Sequence, residues 1–118
     1  MLLVVKLAAT TVPEYRLSAE IFADFLTDND DVILLDIRTS MEYEQGHIDR
    51  AELIDYYQSD FKTKLAELDK DATYLIYCRS GNRSSNALRI MQGMGFTNFA
   101  DLEGGIRTWV MAKKELVK

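Results

Sequence analysis

Short, uninterrupted apolar runs alternate along the chain with segments whose apolar residues recur at helical spacing. Behind Ser18, a residue type suited to capping, Ile21, Phe22, Phe25 and Leu26 follow an i, i+1, i+4, i+5 pattern, so a helix is expected that stops near Asp28 to Asp31. The run V-I-L-L-D, Val32 to Asp36, is apolar almost throughout and of strand length, the pattern of a strand buried on both faces. Thr39 and Glu42 form a capping box, which predicts a short helix over Met41 to Gln45 ended by Gly46. A second short strand is expected near Ala51 to Ile54. Ser59 is placed to cap a helix over Asp60 to Leu68 with Phe61, Leu65 and Leu68 on one face.

The second half repeats the alternation. T-Y-L-I-Y-C, Thr73 to Cys78, is β-branched, aromatic and apolar, and leads through R-S-G-N-R-S into a helix beginning near Ser84. Phe96 to Leu102 predicts one more strand, and Gly104-Gly105 releases a last helix through Trp109 and Met111. Strands alternating with helices give an α/β domain: a central parallel sheet with helices on both faces, and ligands outside the carboxyl ends of its strands. Cys78 falls at that edge.

Composition narrows the organisation. A chain of 118 residues, 47% hydrophobic and 28% charged, reads as one domain over 1–118, with a core over 14–113. Residues 1–13 read as an arm or short strand, Leu2 to Leu7 packing on the domain; this apolar stretch is too short to span a bilayer and makes a poor signal peptide. A net charge of −5 gives no global attraction to nucleic acid or anionic membrane. One Cys and one His are too few for a Cys/His zinc site, so no metal is expected, and a lone Cys suits a reducing, cytoplasmic setting over a periplasmic one.

Cys78 begins the loop C-R-S-G-N-R-S, Cys78 to Ser84. A short strand-to-helix loop converges several backbone N–H groups on one point, and Gly81 lets it turn tightly. The following helix adds its positive end, and Arg79 and Arg83 add two charges. Together these favour a thiolate over the largely protonated thiol of free cysteine, whose pKa is about 8.5. Without such neighbours a lone Cys is usually a small buried hydrophobe. Two guanidiniums also suit an anionic substrate group, sulfonate or phosphate.

Three segments in order, D-I-R-T-S-M-E-Y-E-Q-G-H-I from Asp36, C-R-S-G-N-R-S from Cys78 and L-E-G-G-I-R-T-W from Leu102, resemble the rhodanese-like sulfurtransferase family. The match runs from about Arg16 to Trp109. It implies the rhodanese-like α/β fold, with about five parallel strands. It also implies that Cys78 takes the outer sulfur of a donor such as thiosulfate as a persulfide. Arg79, Ser80, Gly81, Asn82, Arg83 and Ser84 would form the cradle. An external thiol or sulfur-acceptor protein would then remove the sulfur, with cyanide as the acceptor in vitro and no cofactor beyond the persulfide. With no second cysteine, the chain cannot resolve the persulfide as an internal disulfide.

Asp36 and Arg38 are expected either to bind anions or, as a buried salt bridge, to orient the loop. His47 is expected to satisfy backbone groups rather than to act as a base, and Gly104, Gly105 and Trp109 to form a turn and an aromatic anchor. The chain departs from the family at Asp49-Arg50, where Pro-Gly is frequent. Alternatives are a persulfide relay or regulatory binding module without turnover, and a cysteine-based phosphatase or arsenate reductase. The last two call for an arginine six residues after the cysteine; here that position is Ser84, and Arg83 is one residue short.

Overall fold

A computed structural model describes residues 11–118. The expected strand at Leu2 to Leu7 lies outside them. Ten elements follow in order: β1 (Arg16–Leu17), α1 (Ala19–Asp28), β2 (Ile33–Asp36), α2 (Ser40–Gln45), β3 (Glu52–Leu53), α3 (Phe61–Ala66), β4 (Tyr74–Tyr77), α4 (Asn82–Met94), β5 (Phe99–Leu102) and α5 (Gly105–Met111). The strands form one five-stranded parallel sheet in the order β1-β5-β4-β2-β3.

Strand period two divides the core between the faces. Leu34, Leu75, Tyr77, Ala100 and Leu102 meet Phe22 and Leu26 of α1 and Ile106 and Trp109 of α5. Their neighbours Leu35, Tyr74, Ile76, Cys78 and Phe99 meet Phe61 and Leu65 of α3 and Ala87 and Met91 of α4. Both faces are covered, which is why β2 and β4 are apolar without alternation. From β2 the chain moves outward to β3, and from β4 it moves the opposite way to β5, so the order reverses between β2 and β4. The carboxyl ends of those neighbours, Asp36 paired with Tyr77, form the switch point where such sheets bind ligands.

Several local expectations change. Ile21 faces solvent at 49% exposure, because α1 buries the stripe Ala19, Phe22, Leu26. Ser59 does not cap α3: the preceding backbone turn, with Gln58 N–H on Asp55 C=O and Phe61 N–H on Gln58 C=O, leads into the helix. That helix ends at Ala66 because Glu67 and Leu68 make i to i+3 bonds that tighten its last turn. β5 starts at Phe99 because Phe96 belongs to the end of α4. Gly95, at φ 95°, and Phe96 donate to the carbonyls of Gln92 and Met91 in a Schellman pattern. The packed unit also extends beyond 113: Val117 and His47 exchange backbone hydrogen bonds, each 2.8 Å.

Arg50 shows how the chain tolerates the departure after Gly-His-Ile. It adopts φ 77°, a conformation that favours glycine. Its guanidinium donates to Leu26 C=O at 2.8 Å and Val32 C=O at 2.9 Å, tying the turn to the end of α1 and the start of β2.

Candidate active site

α4 begins at Asn82, two residues before the expected start near Ser84, because Gly81 takes up φ 103° and turns the chain directly into the helix. Ser84 consequently lies in the first turn, where backbone N–H groups have no helical partner. Its amide points at Cys78 Sγ, 3.4 Å away, and the Gly81 amide donates to the same sulfur at 3.0 Å. The amides of Arg79, Ser80, Asn82 and Arg83 make no hydrogen bond among the described residues. Cys78 itself is 1% exposed, at the floor of this loop. The arrangement suits a negatively charged sulfur and leaves donors free for a second atom attached to it.

The two loop arginines divide in role. Arg83 is engaged by Glu42, with Nη1 to Oε1 at 2.9 Å and Nη2 to Oε2 at 3.1 Å. Its guanidinium also lies 5.3 Å from the Tyr57 ring centre. Glu42 caps α2 by accepting from Thr39 N–H, completing the expected capping box. The Arg83 hydrogen bonds, opposed by burial and helped by the Thr39 amide, lower the Glu42 carboxyl from 4.5 to about 2. The expected anion fork at Arg83 is therefore closed on a protein carboxylate. Arg79 is exposed, and its side chain has no ion-pair or hydrogen-bond partner among the described residues.

Asp36 and Arg38 form the buried ion pair of the second expectation. Arg38 Nη2 lies 2.7 Å from Asp36 Oδ2 and 2.8 Å from Gly46 C=O, so one guanidinium fastens the end of β2 to the end of α2. Tyr77 O–H donates to Asp36 at 2.6 Å while accepting from Ile48 N–H, and burial, reinforced by Asp36, raises its pKa. His47 Nδ1 lies 2.9 Å from Tyr43 C=O and its ring stacks on Tyr43, so it serves the backbone as expected. Trp109 anchors α5 edge-on to Phe22, and its indole N–H donates to Glu115 C=O.

A second network was missed by sequence reasoning. Ser84 Oγ lies 3.5 Å from Cys78 Sγ and donates at 2.7 Å to Asp101, a carboxylate with no exposure. Asp101 in turn accepts from Arg16 Nε at 3.0 Å and Nη2 at 2.7 Å, and Arg16 Nη2 also holds Gly81 C=O at 2.9 Å. Arg16 thus braces the loop from β1. No local pattern announces this set, because Arg16 and Asp101 meet across a parallel pair of distant strands.

The start of α5 locks the loop from the opposite side. Ile106 N–H donates to Cys78 C=O at 2.9 Å and Arg107 N–H to Arg79 C=O at 3.3 Å. Such an approach requires glycine at 105: a Cβ there would lie 2.4 Å from Arg79 C and O and 2.6 Å from Cys78 O. The L-E-G-G-I-R-T-W segment is part of the wall that shapes the cysteine loop.

Comparisons with known proteins agree with this architecture. The family model described as a rhodanese-like domain matches residues 18–112. A sulfurtransferase of Allochromatium vinosum is 36% identical over 94 residues, covering 80% of this chain and 86% of that protein. A probable adenylyltransferase/sulfurtransferase, MoeZ, of Mycobacterium tuberculosis is 36% identical over 86 residues; the match covers 73% of this chain but only 22% of that protein. A solved rhodanese-related protein from Thermoplasma volcanium superposes with a TM-score of 0.77 at 27% identity, covering 88% of this chain and 98% of its own. Among the described residues no helix is long and apolar enough to cross a membrane. With the cysteine loop at the switch point of its parallel sheet, the chain belongs to the rhodanese-like domain family.

Proposed function

We propose that this domain carries sulfane sulfur on Cys78 and passes it to an external thiophilic acceptor. The observation that supports the reading most directly is the convergence of the Gly81 and Ser84 amides on Sγ, with further amides free around it. In the first step the Cys78 thiolate attacks the outer sulfur of thiosulfate. The new S–S bond forms as the donor S–S bond breaks, and sulfite leaves with the electron pair. In the second step an acceptor thiolate, or cyanide, attacks the outer sulfur, and Cys78 departs as thiolate. This is two-step covalent catalysis with no net change at the protein and no further cofactor. A lone reactive thiol fits a reducing compartment such as the cytoplasm.

The Glu42–Arg83 pair favours a second reading, a relay loaded by a protein persulfide with little turnover on free thiosulfate, because it sets a carboxylate beside the route of a dianion. Both readings share the loaded intermediate. Incubation with thiosulfate or a persulfide donor is expected to raise the intact mass by one sulfur, with Cys78→Ser abolishing the gain. An unchanged wild-type mass with every donor would overturn both readings.

A further inference from the structure

Beside the loop lies an open cleft of about 680 Å³ between α2, α5 and the returning C-terminal residues. Arg79 and Glu42 line it on the loop side, and Ile106, Val110, Met111 and Leu116 form its apolar wall. Eight large apolar side chains are exposed among the described residues, and three of them, Val110 at 53%, Met111 at 80% and Leu116 at 37%, gather on this cleft. Scattered apolar residues are ordinary on a protein surface, whereas such a cluster at a functional edge marks an interaction site.

The charges on this wall have one sign to offer. Glu42 contributes the single carboxylate of the lining, and Arg83 and Thr39 engage it. Arg38 is closed on Asp36 and Gly46. Arg79 and Arg107 remain: both are exposed, and neither side chain has a partner among the described residues. On a chain of net charge −5 this is a local positive site next to an apolar one. A bare inorganic anion or a small polar thiol would leave Val110, Met111 and Leu116 uncovered. A chain segment carrying acidic and apolar side chains would satisfy both.

We propose that this cleft docks an acidic, apolar segment of the protein that accepts sulfur from Cys78. The proposal rests on the sulfur-transfer reading and names its partner class. Sγ is buried at the loop floor, whereas the outer sulfur of a persulfide stands about 2.05 Å beyond it along the S–S bond. A segment lying against α5 brings its thiolate to that outer atom. The acceptor sulfur bonds to it, the Cys78 S–S bond breaks, and Cys78 leaves as thiolate while the acceptor becomes the persulfide.

The test uses the full chain and cysteine peptides. One peptide carries glutamates and a leucine beside its thiol, a second has lysines for the glutamates, and a third has serine for the leucine. With thiosulfate-loaded protein, sulfur transfer to the acidic, apolar peptide is expected to be about tenfold faster than to either other peptide. Arg107→Glu should reverse the order of the acidic and basic peptides, and Met111→Ser should slow the first peptide about threefold. Cyanide-dependent turnover should stay as in wild type for Met111→Ser. Equal rates for all peptides, a preference that survives Arg107→Glu, or a small free thiol as fast as the best peptide would each overturn the docking proposal. So would self-association of the wild type that Met111→Ser removes, which would assign the cleft to a second copy of this chain. Binding of thiol-free peptides to Cys78→Ser protein, followed by fluorescence anisotropy, keeps the two ideas separate. Peptide discrimination there without sulfur loading in wild type would sink the transfer reading alone.

Discussion

Glu42 grips Arg83 with both carboxylate oxygens, at 2.9 and 3.1 Å, and so withholds from substrate the arginine that the loop sequence offers as an anion fork. Replacing Glu42 with Gln keeps an oxygen that can accept from Thr39 N–H but removes the charge. Glu42→Gln is expected to lower the KM for thiosulfate about threefold to tenfold while kcat changes little, since Arg83 becomes free to meet sulfonate. Steady-state thiosulfate:cyanide kinetics read this directly. A KM that rises would mean that Arg83 acts only by holding the loop in place.

The same pair carries a pH signature. A carboxyl whose pKa falls from 4.5 unfolded to about 2 folded contributes stability that is full above about 4.5 and is lost as pH falls toward 2. Wild type should therefore lose more stability than Glu42→Gln across that window and converge toward it at the acid end. Urea midpoints measured at several pH values from 6 downward test the sign; parallel curves for the two proteins would show that the pair is not linked to folding.

Arg50 stands at φ 77° where glycine is at ease, yet its guanidinium holds carbonyls of Leu26 and Val32. Arg50→Gly and Arg50→Ala both delete those bonds, but only alanine retains the unfavourable left-handed backbone. Arg50→Ala should consequently be less stable than Arg50→Gly by about 1 kcal/mol, despite the greater unfolded-state entropy of glycine. Chemical denaturation of the pair checks it. Equal stabilities would indicate that the turn relaxes once the guanidinium is gone.

What the sequence made legible was mostly local. The Thr39–Glu42 box lies within one turn, and the apolar runs of β2 and β4 announce strands covered on both faces. Cys78 at a strand's carboxyl end followed from the same pattern. The partners of the loop were not legible, because Arg83 meets Glu42 across 41 residues and Arg16 meets Asp101 across 85. Motif composition counted Arg83 as a free cation, whereas the fold pairs it. Ser59 failed as a cap for the opposite reason: a backbone turn precedes the helix, and Asp60 occupies the cap position without a side-chain hydrogen bond.

Two adjacent glycines make unequal demands on the site. A Cβ on Gly104 would meet Thr108 Oγ1 at 1.8 Å, an atom at the end of a side chain that can rotate away. A Cβ on Gly105 would meet the backbone of Arg79 and Cys78 at 2.4 to 2.6 Å, and no rotation relieves that. Relief requires α5 to back away from the loop, stretching the bonds from Ile106 and Arg107 to the Cys78 and Arg79 carbonyls. Gly105→Ala is expected to cost about 2 kcal/mol or more, and to cut sulfur loading at Cys78 even at temperatures where the variant remains folded. Gly104→Ala, at φ 74°, should cost about 1 kcal/mol from its backbone alone and leave loading near wild type. Thermal melts with intact-mass measurement of sulfur loading separate the two. Normal loading by folded Gly105→Ala would show that the cradle keeps its shape without the close approach of α5.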